Sequence, residues 1–502
     1  MNQLPPSLHS NLMALSPLIL LAGFAVVVML AAAFFRHPRP VMMLTLAGLV
    51  LSFASLFLSR GVESRQVTAL LVLDHYALFF IGLIVAATFV VAVLCYRYFG
   101  GDESRHEALY ILLLLAALGG GVIVASSHFA SLLLGLELLS ISLFALIAYP
   151  RFTERPLEAG IKYLILAGFS SGLLLFGMAL VYAQLGTMQF VKIGTMLAAP
   201  DRALELYGLA GLALIVTGVG FKLALVPFHM WTPDVYEGAP APVSAFIATV
   251  SKGAMLAMLL RYFLVAGAYQ SQPITLALSL VAVMTILVGN LLALRQDNVK
   301  RILAYSSIAQ LGYLLVGFLA YGELAIEAVA YYLIAYFVTM LGAFGVVTVL
   351  SGGTPGQDND TLADYAGLFW RRPWLAVVFT AMLLSLAGIP LTMGFIGKFY
   401  VLTAAIGASL WLLVIVLVIG SAIGLYYYLR IVAAMCAPEP DAISEQETLL
   451  AAPASLPESM TLAALTGLLI ALGIYPALLI PLLETTAAQL AGLVGNSVLA
   501  VP

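Results

Sequence analysis

Apolar runs, each about as long as a bilayer is thick, alternate with short polar breaks along nearly the whole chain. A helix rises 1.5 Å per residue, so about 20 apolar residues cross the hydrocarbon core. Read against turn and charge punctuation, the runs predict about 14 spans, at 12–35, 41–59, 76–98, 108–125, 129–149, 160–184, 206–229, 241–268, 274–295, 301–320, 325–351, 374–403, 408–435 and 460–482. The expected fold class is an all-α polytopic membrane protein. The fourth and fifth spans are separated only by Ser126-Ser127-His128. No Lys or Arg precedes about Asn11 and no small-residue cleavage site follows, so the first run is expected to stay as a span.

The loops are short, and none can hold a nucleotide-binding domain. The longest, from Ala437 to Glu458, is acidic (Glu439, Asp441, Glu445, Glu447, Glu458) and reads as a solvated connector; a second, Gly352 to Asp364, is rich in Gly and Asp. Charge then gives orientation. With the N-terminus outside, the cytoplasmic loops carry Arg36, Arg39, Arg97, Arg105, Arg151, Arg155, Arg295, Lys300, Arg301, Arg371, Arg372 and Arg430. The opposite loops carry only Arg60, Arg65, Lys192 and Arg202. This positive-inside bias, with an even number of spans, places both termini in the periplasm of a bacterial inner membrane.

Of 502 residues, 63% are hydrophobic and 9% charged, against about a quarter charged in soluble domains. The net charge of −3 gives no basic patch for nucleic acid. The two cysteines, Cys95 and Cys436, are too few for an iron–sulfur cluster or a zinc site. With no haem-attachment or dinucleotide motif either, no cofactor or metal is expected in this chain.

Two spans are interrupted. The seventh reads Gly218-Val-Gly-Phe-Lys222-Leu-Ala-Leu-Val-Pro227-Phe-His229, and the twelfth Leu386-Ala-Gly-Ile-Pro390-Leu-Thr-Met-Gly-Phe-Ile-Gly-Lys398-Phe. A mid-helix proline removes a backbone hydrogen bond, and protein or water must satisfy the freed carbonyls. Each break, formed by Pro227 or Pro390 with nearby glycines, accompanies one lysine, five spans apart. That is the pattern of duplicated halves, and an odd number of helices per unit inverts the second copy. The expected domains are 1–107, an N-terminal three-helix segment; 108–270 and 271–436, the two repeats; and 437–502, the acidic connector and a C-terminal helix.

Of six lysines, Lys162, Lys222, Lys252 and Lys398 fall inside predicted spans. A cation at mid-membrane costs about 2.5–3.5 kcal/mol, and lysine, unlike arginine, releases its proton readily when buried. Glu137 lies near the middle of the fifth span. His229 follows Lys222 by seven residues and would share its helical face if the helix ran on; an interfacial histidine at a helix end fits equally. Glu158 and Lys162 are spaced i,i+4 and read as path members or as an interfacial ion pair. Tyr305, Ser306, Ser307, Gln310 and Tyr313 make the tenth span semi-polar, lining a hydrated path or bonding to neighbouring helices. Burial and a movable carboxylate pull a lysine's basicity in opposite directions, which lets such a series pass protons.

Three segments carry a family resemblance: Gly-Phe-Lys222-Leu-Ala-Leu-Val-Pro227-Phe-His229-Met-Trp-Thr-Pro-Asp-Val-Tyr-Glu-Gly-Ala-Pro-Ala-Pro-Val, Asn298-Val-Lys-Arg-Ile-Leu-Ala-Tyr305-Ser-Ser-Ile-Ala-Gln-Leu-Gly-Tyr, and Leu384-Ser-Leu-Ala-Gly-Ile-Pro390-Leu-Thr-Met-Gly-Phe-Ile-Gly-Lys398-Phe-Tyr. Here the chain resembles the antiporter-like membrane subunits of respiratory NADH–quinone oxidoreductase (complex I). The resemblance implies two inverted repeats, spans four to eight and nine to thirteen. It matches Glu137, Lys222, Lys252 and Lys398 to the family's proton-transferring positions, with Glu158 and Lys162 at motif positions of less uniform role. It further implies proton translocation driven by quinone reduction elsewhere, with FMN, iron–sulfur clusters and the quinone held by other subunits. The expected partners are other membrane subunits, related antiporter-like ones among them, and lipid. A subunit of a secondary cation/proton antiporter uncoupled from electron transfer is the alternative; a carrier of organic solutes lacks a substrate-shaped polar cluster.

Overall fold

The computed structural model describes residues 6–34, 37–59, 65–100, 106–151, 153–197, 206–267, 269, 272–351, 355–438 and 454–499. Arg36, Arg60, Arg105 and Arg202 of the charge argument, and Glu439, Asp441, Glu445 and Glu447 of the connector, lie outside them. Among the described residues thirteen helices are long and apolar enough to cross a bilayer, and two shorter apolar helices make a fourteenth crossing. The first three spans are Pro6–Phe34, Pro38–Ser59 and His75–Tyr98. The first unit follows, with Glu107–Ala125, Phe129–Ile147, Glu154–Leu185, Leu206–Leu223 and the eighth crossing from Ala241 to Val265. The second comprises Gln272–Ala293, Val299–Leu319, Glu323–Leu350, the pair Pro373–Ala387 and Met393–Gly407, and Trp411–Cys436. Leu456–Ile474 is the last span.

The two units share one packing plan. Span 4 lies on span 5 as span 9 lies on span 10, and span 6 lies on span 7 as span 11 lies on span 12. Glycine permits the close approach in each first pair. A Cβ on Gly119 would stand 2.8 Å from the Gly135 carbonyl, and one on Gly289 2.8 Å from the Ala309 nitrogen. Because successive crossings alternate in direction, the second unit runs opposite to the first.

Span 10 is buried along the whole of its 18-residue apolar stretch, and spans 8 and 11 over 94% of theirs, against 33% for spans 1 and 6. Polar side chains on spans 8, 10 and 11 therefore face protein rather than lipid, where an unsatisfied polar group would cost several kcal/mol.

Both predicted breaks are present. Span 7 leaves the helix at Leu223, passes through Ala224 (φ 58°) and a cis Val226–Pro227 bond, and resumes in the short helix Trp231–Gly238. Its freed groups are satisfied: Trp231 Nε1 donates to the Phe221 carbonyl at 2.9 Å, and the Val226 N–H donates to Thr285 Oγ1 at 3.0 Å. Span 12 stops at Ala387. Gly388, in the left-handed region at φ 84°, lets the N–H groups of Gly388 and Ile389 reach the Leu384 carbonyl at 3.0 Å each.

Two features depart from the sequence reading. Arg65–Gln66 pairs antiparallel with Val72–Leu73, a two-residue strand pair in an otherwise helical chain. The final run, predicted at 460–482, ends instead at Ile474; Tyr475 and Pro476 interrupt it, and a further helix, Ile480–Leu499, follows. The apolar residues from 477 to 483 hide this stop, because hydropathy does not register that proline lacks the N–H a helix needs. That extra helix packs on spans 3, 8 and 11, and Gln489 Oε1 accepts the His75 N–H at 2.8 Å.

Candidate functional site

Lys222, Lys252 and Lys398 are buried, at 5%, 0% and 7% exposure. Each is placed by an irregularity of its own span. Lys222 lies in the last turn before the break of span 7. Lys252 directly follows one π-helical turn, Ile247–Ser251, in span 8. Lys398 lies in the half of span 12 that follows its break.

The three share a coordination pattern. Lys222 Nζ donates to Ser140 Oγ at 2.8 Å and stands 5.8 Å from the Tyr163 ring centre. Lys252 Nζ donates to Ser307 Oγ at 2.6 Å and stands 5.1 Å from the Tyr236 ring. Lys398 Nζ donates to Ser421 Oγ at 2.9 Å, to the Leu386 and Ala387 carbonyls at 2.8 and 3.0 Å, and stands 5.0 Å from the Tyr313 ring. Among the described residues none of the three has a carboxylate within 4.0 Å.

The contrast is Lys300, also buried, whose Nζ meets Asp358 Oδ2 at 2.5 Å and the Glu237 and Ala239 carbonyls at 2.8 and 2.6 Å. Its charge is fully compensated. Arg261 is likewise neutralised by two 2.7 Å bonds to Asp74.

Glu137 is half-buried on span 5, between the exposed Leu134 and Ile141, one turn before Ser140. Its Oε1 has no hydrogen-bond partner among the described residues, and it lies three residues before Ser140, the hydroxyl that holds Lys222. His229 is buried in the break, and neither ring nitrogen makes a well-formed hydrogen bond to another described residue. The helix does not continue from Lys222 to His229, so the common face drawn from spacing does not exist. Glu158 and Lys162 form an ion pair of 2.7 Å on the rim, extended by Asp234 at 3.1 Å and by Arg301 beyond it. This pair is not joined to Lys222 in the structure.

Between Lys252 and Lys398 lies a hydroxyl and amide network. Ser307 Oγ contacts the Tyr336 hydroxyl at 2.6 Å and the Tyr236 hydroxyl at 3.4 Å. Ser306 bonds to the Tyr428 hydroxyl, which accepts from Gln310 Nε2 at 3.3 Å. Gln310 also takes the Tyr332 hydroxyl on Oε1 and donates to the Leu386 carbonyl at 3.1 Å, the oxygen that Lys398 shares. Tyr305 lies on the same helix, but its hydroxyl makes no hydrogen bond to another described residue. Sequence reasoning missed Ser140, Ser421 and the ring partners Tyr163 and Tyr236. Only Ser140 left a trace, three residues after Glu137 on one helix. The described residues hold no group of three or more His, Cys, Asp or Glu side chains suited to a metal ion.

Residues 126–424 match the family of membrane subunits described as NADH:quinone oxidoreductase/Mrp antiporter, TM. The chain is 78% identical over 500 residues to NADH-quinone oxidoreductase subunit N of Nitrosospira multiformis, covering 96% of this chain and 99% of that protein. It is 50% identical to the protein of the same name in Methylococcus capsulatus, over 95% and 94% of the two chains. Among solved structures it resembles a chain of respiratory complex I from Thermus thermophilus, with a TM-score of 0.79 and 32% identity over 93% of this chain and 99% of that one. A chain of the Mrp complex from Dietzia shares the fold at a TM-score of 0.84 and 20% identity, over 96% and 97% of the two chains. The chain thus belongs to the NADH:quinone oxidoreductase/Mrp antiporter membrane family and, within it, to the subunit N group.

Proposed function

We propose that Lys222, Lys252 and Lys398, with Glu137 and His229, carry the protons that this chain moves. The chain is a proton-translocating membrane-arm subunit of NADH–quinone oxidoreductase and one member of a multi-subunit membrane complex. The observation that carries the site assignment is the set of three buried lysines with no carboxylate within 4.0 Å among the described residues, beside two buried cations, Lys300 and Arg261, that each have one. Structural cations in this chain are neutralised; these three are left to neutral oxygens and rings. An amine in that setting gains or loses a proton as nearby charge and water change.

Glu137 supplies the nearby charge. It stands one turn from the hydroxyl that now holds Lys222, so a small movement pairs the carboxylate with the ammonium. Lys252 and Lys398 continue the route along the membrane, with Ser306, Ser307, Gln310 and the tyrosines around them holding intervening waters. Glu158 and Lys162 are rim charges beside that route. The two repeats, 108–270 and 271–436, each contribute one broken span. Quinone reduction, with the FMN, iron–sulfur clusters and quinone in other subunits, drives the cycle. The complex lies in a bacterial inner membrane, with lipid around it, related antiporter-like subunits beside this one, and both termini of this chain in the periplasm. The reading as a secondary antiporter is supported by the family description, which takes in Mrp antiporters, and by the fold shared with the Dietzia chain at 20% identity, against 78% identity to a subunit N.

The test is NADH-driven ΔpH formation in membrane vesicles bearing Lys222→Ala. The expected result is loss of pumping with the complex assembled. Normal ΔpH with intact complex would remove Lys222 from the route.

A further inference from the structure

We propose that Ser140, Ser307 and Ser421 are positioning residues that hold Lys222, Lys252 and Lys398 in both protonation states, so that each lysine keeps its place while its charge changes. The inference deepens the proton-carrier reading above and rests on it.

The chemistry of the acceptor carries the argument. An ammonium has three donors and no acceptor, whereas a neutral amine offers a lone pair that needs a donor. A carboxylate or a backbone carbonyl can only accept, so it can take an N–H of the amine but cannot fill the lone pair that appears once the proton has gone. A hydroxyl accepts from the ammonium and, by rotating, donates to the amine. Every lysine assigned to the route has a serine hydroxyl within 2.6–2.9 Å, supplied by a different helix in each case: span 5, span 10 and span 13. The two buried cations outside the route, Lys300 and Arg261, are held instead by carboxylates.

Lys398 separates the roles within one site. Of its three acceptors, the Leu386 and Ala387 carbonyls can take N–H groups in either state, and Ser421 alone can turn to donate to the lone pair of the amine. Ser421 Oγ lies 3.1 Å from the Ala387 carbonyl, so its proton has a resting place while the ammonium is present. At Lys252 the Tyr336 hydroxyl, 2.6 Å from Ser307, plays that part. At Lys222, Ser140 and Glu137 are i and i−3 on one helix, offering neighbouring alternatives: a hydroxyl that follows the lysine through its cycle and a carboxylate that fixes it as a cation.

The test compares Ser140→Ala with Ser140→Thr, and Ser421→Ala with Ser421→Thr, in the assembled complex in inverted membrane vesicles. The quantities read are protons moved per NADH oxidised and complex content. Lys222→Ala and Lys398→Ala serve in parallel. Loss of a hydrogen bond to a charged group is expected to lower pumping about tenfold in the alanine variants, while threonine, which keeps the hydroxyl, restores most of it. Alanine variants that pump normally while the lysine variants fail would overturn the inference and leave the lysine reading standing. Equal loss in alanine and threonine variants, with normal complex content, would show that side-chain shape matters rather than the hydroxyl, and would also overturn it. Normal pumping by the lysine variants would overturn both.

Discussion

Lys398 Nζ lies 2.8 Å from the Leu386 carbonyl oxygen, across the break in span 12. Leu386 and Ala387 end the half-helix Pro373–Ala387, whose last carbonyls lack intrahelical partners and carry the negative end of its dipole. Lys222 lies in the last turn of Leu206–Leu223, and its Nζ is held by Ser140 Oγ of span 5 instead. One lysine precedes its break and the other follows, and of the two it is the Lys398 nitrogen that sits on the end carbonyls of the first half of its broken span. A dipole in such a partly buried setting contributes up to about 2 kcal/mol, against roughly 2.5–3.5 kcal/mol for the cation at mid-membrane. Breaking the helix therefore offsets much of the cost of the charge without a counter-ion that would fix it.

Replacing Lys398 by alanine removes a cation and takes one donor from each of two carbonyls, leaving Gln310 Nε2 on Leu386 and Ser421 Oγ on Ala387. Proton pumping is expected to fall about tenfold or more, and quinone-linked NADH oxidation with it where coupling is tight. Simultaneous measurement of ΔpH and NADH oxidation in vesicles checks this.

Glu137→Ala takes away the carboxylate one turn from Ser140, the hydroxyl that holds Lys222. The complex is expected to assemble and to pump poorly. Blue-native mass analysis beside ΔpH formation separates the two effects.

Lys252→Arg keeps the positive charge but not the ability to release it, since arginine stays protonated in proteins. Pumping is expected to be lost although charge is conserved. Retained pumping would assign Lys252 a purely electrostatic role.

Asp74→Ala should behave differently. It strips Arg261 of both its 2.7 Å bonds, and breaking one side of a buried pair costs about 3–5 kcal/mol. Here the expected loss is of folded complex, seen as lower content and earlier thermal unfolding, with the surviving fraction pumping normally.

The sequence made the broken spans legible because proline, glycine and lysine coincide twice at one spacing, and each part has a direct backbone or solvation consequence. It made Lys222, Lys252 and Lys398 legible because charge inside an apolar run is costly. Their serine partners were not, since a serine within a helix is common and only the meeting of spans 5, 10 and 13 with the lysines gives it meaning. Lys300 shows the converse. Beside Arg301 at the start of span 10 it counted as loop charge, yet it is buried against Asp358 from the connector between spans 11 and 12. The Lys222–His229 relation failed for a stated reason, that the break which helps place Lys222 also ends the helix linking the two.

The central claim is that these amines change protonation during turnover, and nitrogen NMR of the complex with 15Nζ-labelled lysine tests it directly. Neutral amine and ammonium nitrogens resonate apart, and Lys→Arg variants at 222, 252 and 398 assign the signals. The prediction is a neutral-amine signal from at least one of the three in some working state, changing in amount when NADH and quinone are supplied. Ammonium signals alone from all three, at rest and in turnover, would contradict the account.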